Sequence, residues 1–303
     1  MHKVLITGIT GFLGSNIAEV LIKNNIEVIG LKRITSDSWR CKEFTHQIDW
    51  VDIDEDGLWK AELENKKPDT IIHGAWIGVE ASDRDNWTEQ AKNVGLFVSL
   101  LEISKTVGLK KFIFLGSQAE YGNIDGKITE DYPVSAVNAY ASIKLACLEI
   151  CRSFCASNNI NWIWLRLFSL FGEKESDKWL IPSMISKMLS GNSMDFTRGE
   201  QKYAYLYVKD FANIIYKILL KPVTSGIYNV SSNDIQQLCN LIERIKRAVN
   251  PDFKVNFGAL PYRVNQSMHI EGDISKLAAL IGPFSFTNFN DALENTITYY
   301  KSK

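Results

Sequence analysis

The sequence predicts an α/β fold in which a doubly wound parallel sheet carries a smaller C-terminal α/β lobe. Short β-branched runs alternate with helical patterns up to about residue 170, and a glycine-rich turn follows the first of these runs. Beyond about residue 171 the pattern becomes irregular and contains most of the prolines. We therefore divide the chain into residues 1–170, which form the sheet, and residues 171–303, an interleaved lobe that shares one cleft with it.

The predicted strands are short and β-branched, and the predicted helices repeat apolar residues at helical spacing. The strands of the sheet are predicted at residues 4–7, 26–31, 70–73, 111–115 and 162–167. Helices are predicted between them at residues 12–23, 85–107 and 138–158, and in the lobe at residues 209–220, 235–249 and 288–300. This succession of strand, helix and strand is typical of a parallel sheet.

The composition excludes several classes of partner. The chain has 303 residues, of which 46% are hydrophobic and 23% charged, and its formal net charge is -1. It contains no polybasic block, and Thr7-Gly8 ends the first apolar run too early for a signal peptide or a membrane span. We therefore expect a cytoplasmic protein without a nucleic-acid or membrane partner.

Five cysteines without a CxxC pair indicate free thiols in a reducing compartment. Cys147, Cys151 and Cys155 recur every four residues, so they lie along one face of a predicted helix. Ligands that climb a helix in this way do not converge on one ion. We predict buried core residues here and no metal site.

The first predicted strand ends in a glycine-rich turn, Thr7-Gly8-Ile9-Thr10-Gly11-Phe12-Leu13-Gly14, which opens an amphipathic helix. Glycines allow a tight turn and a close approach of the backbone to a pyrophosphate, and the helix N-terminus offers unpaired N–H groups. The turn predicts a Rossmann-type dinucleotide site formed by Gly8, Gly11, Phe12, Leu13 and Gly14. The alternative is a glycine-rich turn that binds no ligand.

Tyr140 and Lys144 are the candidate catalytic pair. Four residues apart on a helix, the two side chains lie on one face, so the ammonium can lower the pKa of the phenol. Such a phenol can exchange a proton with a hydroxyl or carbonyl oxygen while a hydride moves to or from nicotinamide. A Tyr-x-x-x-Lys pair also arises by chance on exposed helix faces, where it has no catalytic role.

These patterns together resemble the extended short-chain dehydrogenase/reductases of the epimerase/dehydratase type, which act on nucleotide sugars. The resemblance rests on the glycine turn, on Tyr140-Ala141-Ser142-Ile143-Lys144 and on Leu115-Gly116-Ser117-Gln118-Ala119-Glu120-Tyr121-Gly122, and it covers nearly the whole chain. It implies that Ser117 completes a catalytic triad. It also implies cofactor contacts at Tyr140, Lys144, Asp52, Ile53, Gly74, Ala75, Trp76, Asn93, Leu115 and Phe168.

The end of the second strand bears on which dinucleotide is bound. It contains Lys32 and Arg33 and lacks the acidic residue that usually accepts hydrogen bonds from the ribose of NAD. A guanidinium is well shaped for a 2′-phosphate, which favours NADP(H), with NAD(H) as the alternative. Both side chains could also simply be solvated.

Gln118 and Ala119 stand where the dehydratases of the resembling family need an adjacent Asp-Glu pair. Neither residue can act as acid or base at neutral pH, and Glu120, one position later, should point elsewhere. Dehydration is therefore not expected. The remaining activities are NADPH-dependent reduction of a nucleotide-linked 4-keto-(deoxy)sugar and, as the alternative, epimerisation with tightly bound NAD. A dinucleotide-sensing protein without catalysis is a third hypothesis.

The resemblance also implies how the lobe binds a nucleotide sugar. The implied contacts are Ser117, Gln118, Ser169, Trp179, Leu180, Arg198 and Arg263. Ser169 replaces the asparagine usual in the family, and Tyr203-Ala204 replaces an Arg-Asp pair whose arginine often binds a substrate phosphate. A diphosphate needs charge-assisted donors, but Arg198 and Arg263 could equally be solvated. A homodimer formed through helices 85–107 and 138–158 is expected from the family.

Overall fold

The elements of the fold alternate between strands and helices along most of the chain. The computed structural model describes residues 2–191, 193–222, 224–264 and 266–303. In chain order the strands are β1 (Lys3–Thr7), β2 (Glu27–Arg33), β3 (Ile48–Ile53), β4 (Thr70–His73), β5 (Lys111–Ser117), β6 (Gly126–Ile128), β7 (Asn161–Leu167), β8 (Leu170–Phe171), β9 (Ser193–Phe196), β10 (Lys202–Ala204), β11 (Leu206–Tyr207), β12 (Gly226–Val230), β13 (Ile235–Gln237), β14 (Lys254–Phe257) and β15 (His269–Gly272).

The helices follow the same order. They are α1 (Phe12–Lys23), α2 (Leu58–Lys66), α3 (Trp87–Thr106), α4 (Ala139–Asn158), α5 (Leu180–Ser190), α6 (Val208–Leu220), α7 (Leu238–Val249), α8 (Ser275–Ile281) and α9 (Phe289–Lys301). Two 3-10 helices, Trp39–Gln47 and Gln118–Tyr121, complete the described elements.

A parallel sheet of seven strands forms the centre of the described chain, with the spatial order β12, β7, β5, β4, β1, β2, β3. The chain builds outward from β1 to β3 and then crosses to β4 on the other side of β1. The order therefore reverses between β1 and β4, and a crevice opens there at the carboxyl ends of the strands. This Rossmann-type arrangement confirms the predicted fold class.

Helices cover both faces of the sheet because successive residues of a strand point to opposite faces. Val4 and Ile6 of β1 belong to the core under α1 and α6, whereas Leu5 belongs to the core under α2, α3 and α4. A third core joins α5, α7 and α9 in the lobe. The lobe and the sheet domain also share a small sheet of order β13, β10, β15, β6.

The five predicted strands are all present, but the sequence pattern misses β3 and β12. Both lie at the edges of the sheet, where burial is incomplete: in β3 only Ile48 and Val51 are buried, and β12 begins with half-buried residues. The predicted helix at 235–249 begins only at Leu238, because residues 235–237 pair with β10. Although β12 lies beyond residue 170, it belongs to the sheet, so the two parts are interleaved. The division itself stays a prediction.

Candidate active site

The glycine turn forms a backbone cradle at the reversal point of the sheet. Gly8 has a φ of +69°, and a Cβ atom there would lie 2.7 Å from the backbone nitrogen of Ala75. A Cβ on Gly14 would lie 2.3 Å from the carbonyl oxygen of Gly8. Only glycine fits at these two positions. Phe12 and Leu13 begin α1, and their half-buried side chains pack against the core of the lobe.

The loop after β4 borders this cradle and is tied to α3. Asn93 accepts a hydrogen bond from the backbone N–H of Ile77 at 2.7 Å, and the Gln90 amide donates to the carbonyl of Gly78 at 2.7 Å. The Trp76 indole donates to Gln90 at 2.8 Å. Asn93, implied above as a cofactor contact, thus fixes the backbone of this loop at Ile77. The adjoining Gly74 lies against Leu115, one of the other predicted cofactor contacts.

At the end of β2, Lys32 and Arg33 have different environments. The ammonium of Lys32 lies 2.5 Å from Asp52 on β3, whereas Arg33 is exposed and pairs in register with Ile53. The carboxylate of Asp52 therefore balances the charge of Lys32. Of the two cations predicted to meet a 2′-phosphate, only Arg33 remains without a carboxylate partner among the described residues.

Behind the cradle, His73 is buried between the sheet and α3. Its Nδ1 shares a hydrogen bond of 2.8 Å with the Thr7 hydroxyl, which also accepts from the backbone N–H of Ala75. The ring packs against Phe97 and Phe114. Burial, with a smaller effect of the nearby Lys144 charge, lowers the pKa of His73 to about 3.

This pKa predicts a loss of stability in mild acid. Unfolded His73 takes up a proton near its ordinary pKa of about 6.5, whereas the folded protein does not until about pH 3, so the unfolded state binds more protons between these values. We expect His73 to reduce the free energy of unfolding by about 2 kcal/mol between about pH 7 and pH 5. Urea unfolding of His73→Phe should show a shallower pH dependence, and the exposed-site control His46→Phe should keep the wild-type slope. Equal slopes for wild type and His73→Phe would contradict this assignment.

Ser117, Tyr140 and Lys144 come together at the carboxyl end of β5. Tyr140 lies in the first turn of α4, which Asn138 caps by accepting from Ala141 N–H at 2.9 Å. Its buried phenol lies next to Ser117. The ammonium of Lys144 donates to the carbonyl of Leu115 at 3.0 Å, 3.8 Å from the centre of the Trp76 ring and 5.2 Å from that of Tyr140. The structure thus groups the three residues of the predicted triad.

The charges around Tyr140 and Lys144 are more numerous than the single Lys144 ammonium that the sequence suggests. Burial raises the pKa of Tyr140, the nearby Ser117 hydroxyl and the Arg84 guanidinium lower it, and the Glu120 carboxylate raises it further. Burial also lowers the pKa of Lys144 to about 8, against the effect of Glu120. Arg84, a residue that the sequence motifs do not include, is therefore a further cation that lowers the pKa of the phenol.

Glu120 lies directly beneath Ser117 and is fully buried. One carboxylate oxygen accepts from the backbone N–H of Ser117 at 2.8 Å, and the other accepts from Arg166 Nε at 2.8 Å. The Trp164 indole donates to both oxygens at 3.0 Å. The expectation that Glu120 points elsewhere agrees with its burial beneath Ser117, although the cause is a 3-10 turn rather than an extended chain. An arginine inside the apolar strand β7 is the sequence signal for this buried pair.

Comparison with known proteins identifies the family. Residues 4–231 match the sequence model described as the NAD dependent epimerase/dehydratase family. The chain belongs to this family. It is therefore an enzyme that works with a nicotinamide dinucleotide.

Relatives in this family align over almost the whole chain. CDP-abequose synthase of Salmonella muenchen is 27% identical over 92% of this chain and 91% of its own length. The UDP-N-acetylglucosamine 4-epimerase of Methanobrevibacter ruminantium M1, solved with UDP-N-acetylmuramic acid, is 25% identical, with a TM-score of 0.88 over 99% of this chain and 98% of that one. The UDP-glucuronic acid 4-epimerase of Bacillus cereus, solved with UDP-glucuronic acid and NAD, is 22% identical, with a TM-score of 0.85 over 99% of both chains.

The two residues after Ser117 stand where the dehydratases of the family need an acid pair. Here they are Gln118, an amide, and Ala119, a methyl group. Gln118 is half-buried, and its Oε1 is buried without a hydrogen-bond donor among the described residues. Ala119 donates its backbone N–H to the Ser117 hydroxyl at 3.2 Å. Neither the amide of Gln118 nor the methyl group of Ala119 can act as an acid or a base at neutral pH.

The other predicted substrate contacts of this family member are spread over the lobe. Trp179, which is 39% exposed, and Leu180 begin α5, while Arg198 and Arg263 are exposed on separate loops. Ser169 is half-buried, and its carbonyl accepts from Leu206 N–H at 2.8 Å. Phe168, predicted as a cofactor contact, is buried in a cluster with Tyr121.

The remaining expectations concern metal sites, membrane-spanning helices and cysteines. No group of three or more His, Cys, Asp or Glu residues that could hold a metal occurs in the described ranges. Within these ranges, no helix has the length and apolar character needed to cross a membrane. Cys147, Cys151 and Cys155 are buried free thiols on α4, as predicted.

Proposed function

We propose that this chain is a nucleotide-sugar epimerase that keeps NAD(H) bound and oxidises its substrate transiently. The observation that carries the proposal is the buried group of Ser117, Tyr140 and Lys144 beside positions 118 and 119, which hold no acid. Such a site can move a proton to and from a sugar oxygen, but it has no second acid and base with which to expel water. Two solved relatives with 4-epimerase names support this choice.

In this proposal each residue has a separate task. Tyr140 takes the proton from a sugar hydroxyl as the carbonyl forms and returns it after the sugar has presented its other face. Ser117 holds the same oxygen, and Lys144, which Leu115 fixes, holds the ribose. A bound nicotinamide dinucleotide supplies the hydride acceptor and donor.

The cofactor site fits such a dinucleotide. Side chains are excluded at Gly8 and Gly14, so a pyrophosphate could approach the backbone and the N-terminus of α1. NAD(H) is proposed over NADP(H), because a 2′-phosphate at the end of β2 would meet the Asp52 carboxylate as well as Lys32. The second candidate, NADPH-dependent reduction of a nucleotide-linked 4-keto sugar, is favoured by the exposed Arg33. The homodimer and the cytoplasmic location stay predictions.

Titration of NADH and NADPH into the purified protein tests the cofactor choice. We expect NADH to bind at least about tenfold more tightly, and Asp52→Asn to reduce this preference because it frees Lys32 for a 2′-phosphate. Asp49→Asn is the matched control, since Asp49 lies on the same strand and pairs with Lys66 on α2. Tighter binding of NADPH by the wild type would contradict the proposal.

Incubation with a panel of UDP-sugars and other nucleotide sugars tests the reaction. An epimerase should convert one sugar into its epimer, detected by chromatography, without net change in nicotinamide absorbance. Stoichiometric consumption of NADPH with a nucleotide 4-keto sugar, and no epimer from any parent sugar, would instead establish the reductase.

A further inference from the structure

Arg84 lies in the loop between β4 and α3 and is fixed against the catalytic tyrosine. Its carbonyl accepts the backbone N–H of Tyr140 at 2.9 Å, which ties this loop to the first turn of α4. The Gln90 amide donates to the carbonyl of neighbouring Asp83 at 3.2 Å. The backbone that carries Arg84 is therefore held from two sides.

The guanidinium of Arg84 is held over the phenol ring. Its Nε donates to the carbonyl of Val79 at 3.1 Å, and its Cζ lies 5.1 Å from the centre of the Tyr140 ring. Asp83 and Asp85 flank it in sequence, but no carboxylate of the described residues forms an ion pair with it. The guanidinium of Arg84 thus contacts the Tyr140 ring and has no direct ionic partner among the described carboxylates.

Two other charged groups face the phenol. Lys144, on the same helix, contacts Trp76 and the carbonyl of Leu115, and its pKa of about 8 means that the ammonium loses its proton in mild alkali. Glu120, beneath Ser117, opposes ionisation of Tyr140. A guanidinium stays charged throughout this range. Arg84 is therefore the cation that persists beside Tyr140 when Lys144 is neutral.

We propose that Arg84 is a positioning residue for the reaction: a fixed cation that acts through Tyr140 by stabilising its tyrosinate form. The proposal rests on the proposed function only in taking Tyr140 as the group that carries the proton. Arg84 needs no contact with substrate or cofactor for this role. Removing its charge should weaken Tyr140 as a base, whereas removing only its hydrogen bond to Val79 should not.

The titration of Tyr140 tests this without any sugar. The tyrosinate ultraviolet absorbance of each protein is followed from about pH 9 to about pH 13, because burial already raises the pKa of Tyr140, and the curve of its Tyr140→Phe counterpart is subtracted. We expect Arg84→Gln to move the Tyr140 step upward by about one pH unit, because the guanidinium is only half-buried. Arg84→Lys retains a charge but loses the Nε bond, and should leave the step near its wild-type position.

Arg152→Gln is the control, since Arg152 is exposed on α4, the helix that carries Tyr140, and pairs with Glu149. Its titration should match the wild type, and circular dichroism establishes that each protein is folded over the pH range. An unchanged step in Arg84→Gln would overturn the proposal. So would an equal upward shift in Arg84→Lys, which would indicate a role for loop geometry instead of charge. Weaker NADH binding with no shift would make Arg84 a ligand contact. Because the titration of Tyr140 uses no sugar, its result does not depend on whether the protein proves to be an epimerase.

Discussion

Replacing Tyr140 by phenylalanine should reduce turnover by about 1,000-fold or more while leaving NADH affinity within about twofold of the wild type. The phenol is the titratable group next to Ser117 at the end of β5, so its loss removes the proton path to the sugar oxygen. The glycine cradle belongs to a separate element, the turn between β1 and α1, and keeps its geometry. Single-turnover assays with the converted nucleotide sugar, together with NADH titration, measure both effects.

Tyr132→Phe is a matched control for this experiment. Tyr132 is exposed and packs edge-on against Tyr121, so the substitution removes a phenolic hydroxyl outside the catalytic group. It should retain nearly full activity. Wild-type turnover by Tyr140→Phe would show that the proton moves through another group. A protein that sensed the dinucleotide without catalysis would keep its function after the same substitution.

The glycine turn and the Tyr140 and Lys144 pair are predictable from sequence because each depends on local geometry. A turn between a strand and a helix needs glycine at fixed positions, and four residues of helix bring two side chains to one face. The central strands are equally clear because both of their faces are buried. Edge strands β3 and β12 lack this continuous burial, and the local pattern therefore misses them.

The missed strand β3 also explains the uncertain cofactor prediction. Lys32 and Arg33 look like two free cations as long as nothing is known to lie beside β2. The neighbour of Lys32 is Asp52, 20 residues further along the chain on β3, and the parallel register places the two residues opposite each other. Charge balance at the end of β2 is thus a consequence of strand pairing, which the local sequence does not specify.

Helical spacing likewise predicts that Lys144 lies near Tyr140, but not what its ammonium contacts. That depends on the Leu115 carbonyl at the end of β5 and on Trp76 in the next loop. Arg84 reaches Tyr140 through the same loop, which α3 holds in place. Residues that tune the site through tertiary contacts therefore carry no signature of their own in a single sequence.

Breaking the buried pair of Glu120 and Arg166 should cause a large loss of stability. Arg166→Met leaves the fully buried carboxylate of Glu120 without its ionic partner, and we expect the free energy of unfolding to fall by about 3 to 5 kcal/mol. The double variant Glu120→Gln/Arg166→Met removes both charges, and an amide oxygen can still accept from Ser117 and Trp164. It should be more stable than Arg166→Met alone. Urea unfolding of the three proteins measures the difference.

The same double variant separates charge from packing at the catalytic group. Because the Glu120 carboxylate raises the pKa of both Tyr140 and Lys144, its removal should move the Tyr140 titration downward, opposite to the shift expected for Arg84→Gln. General loosening of the site cannot produce opposite shifts from two substitutions that both weaken contacts. If the double variant were as unstable as Arg166→Met, unpaired charge would not be the cause of the loss. If both substitutions moved the titration the same way, the field of Arg84 and Glu120 would not control Tyr140.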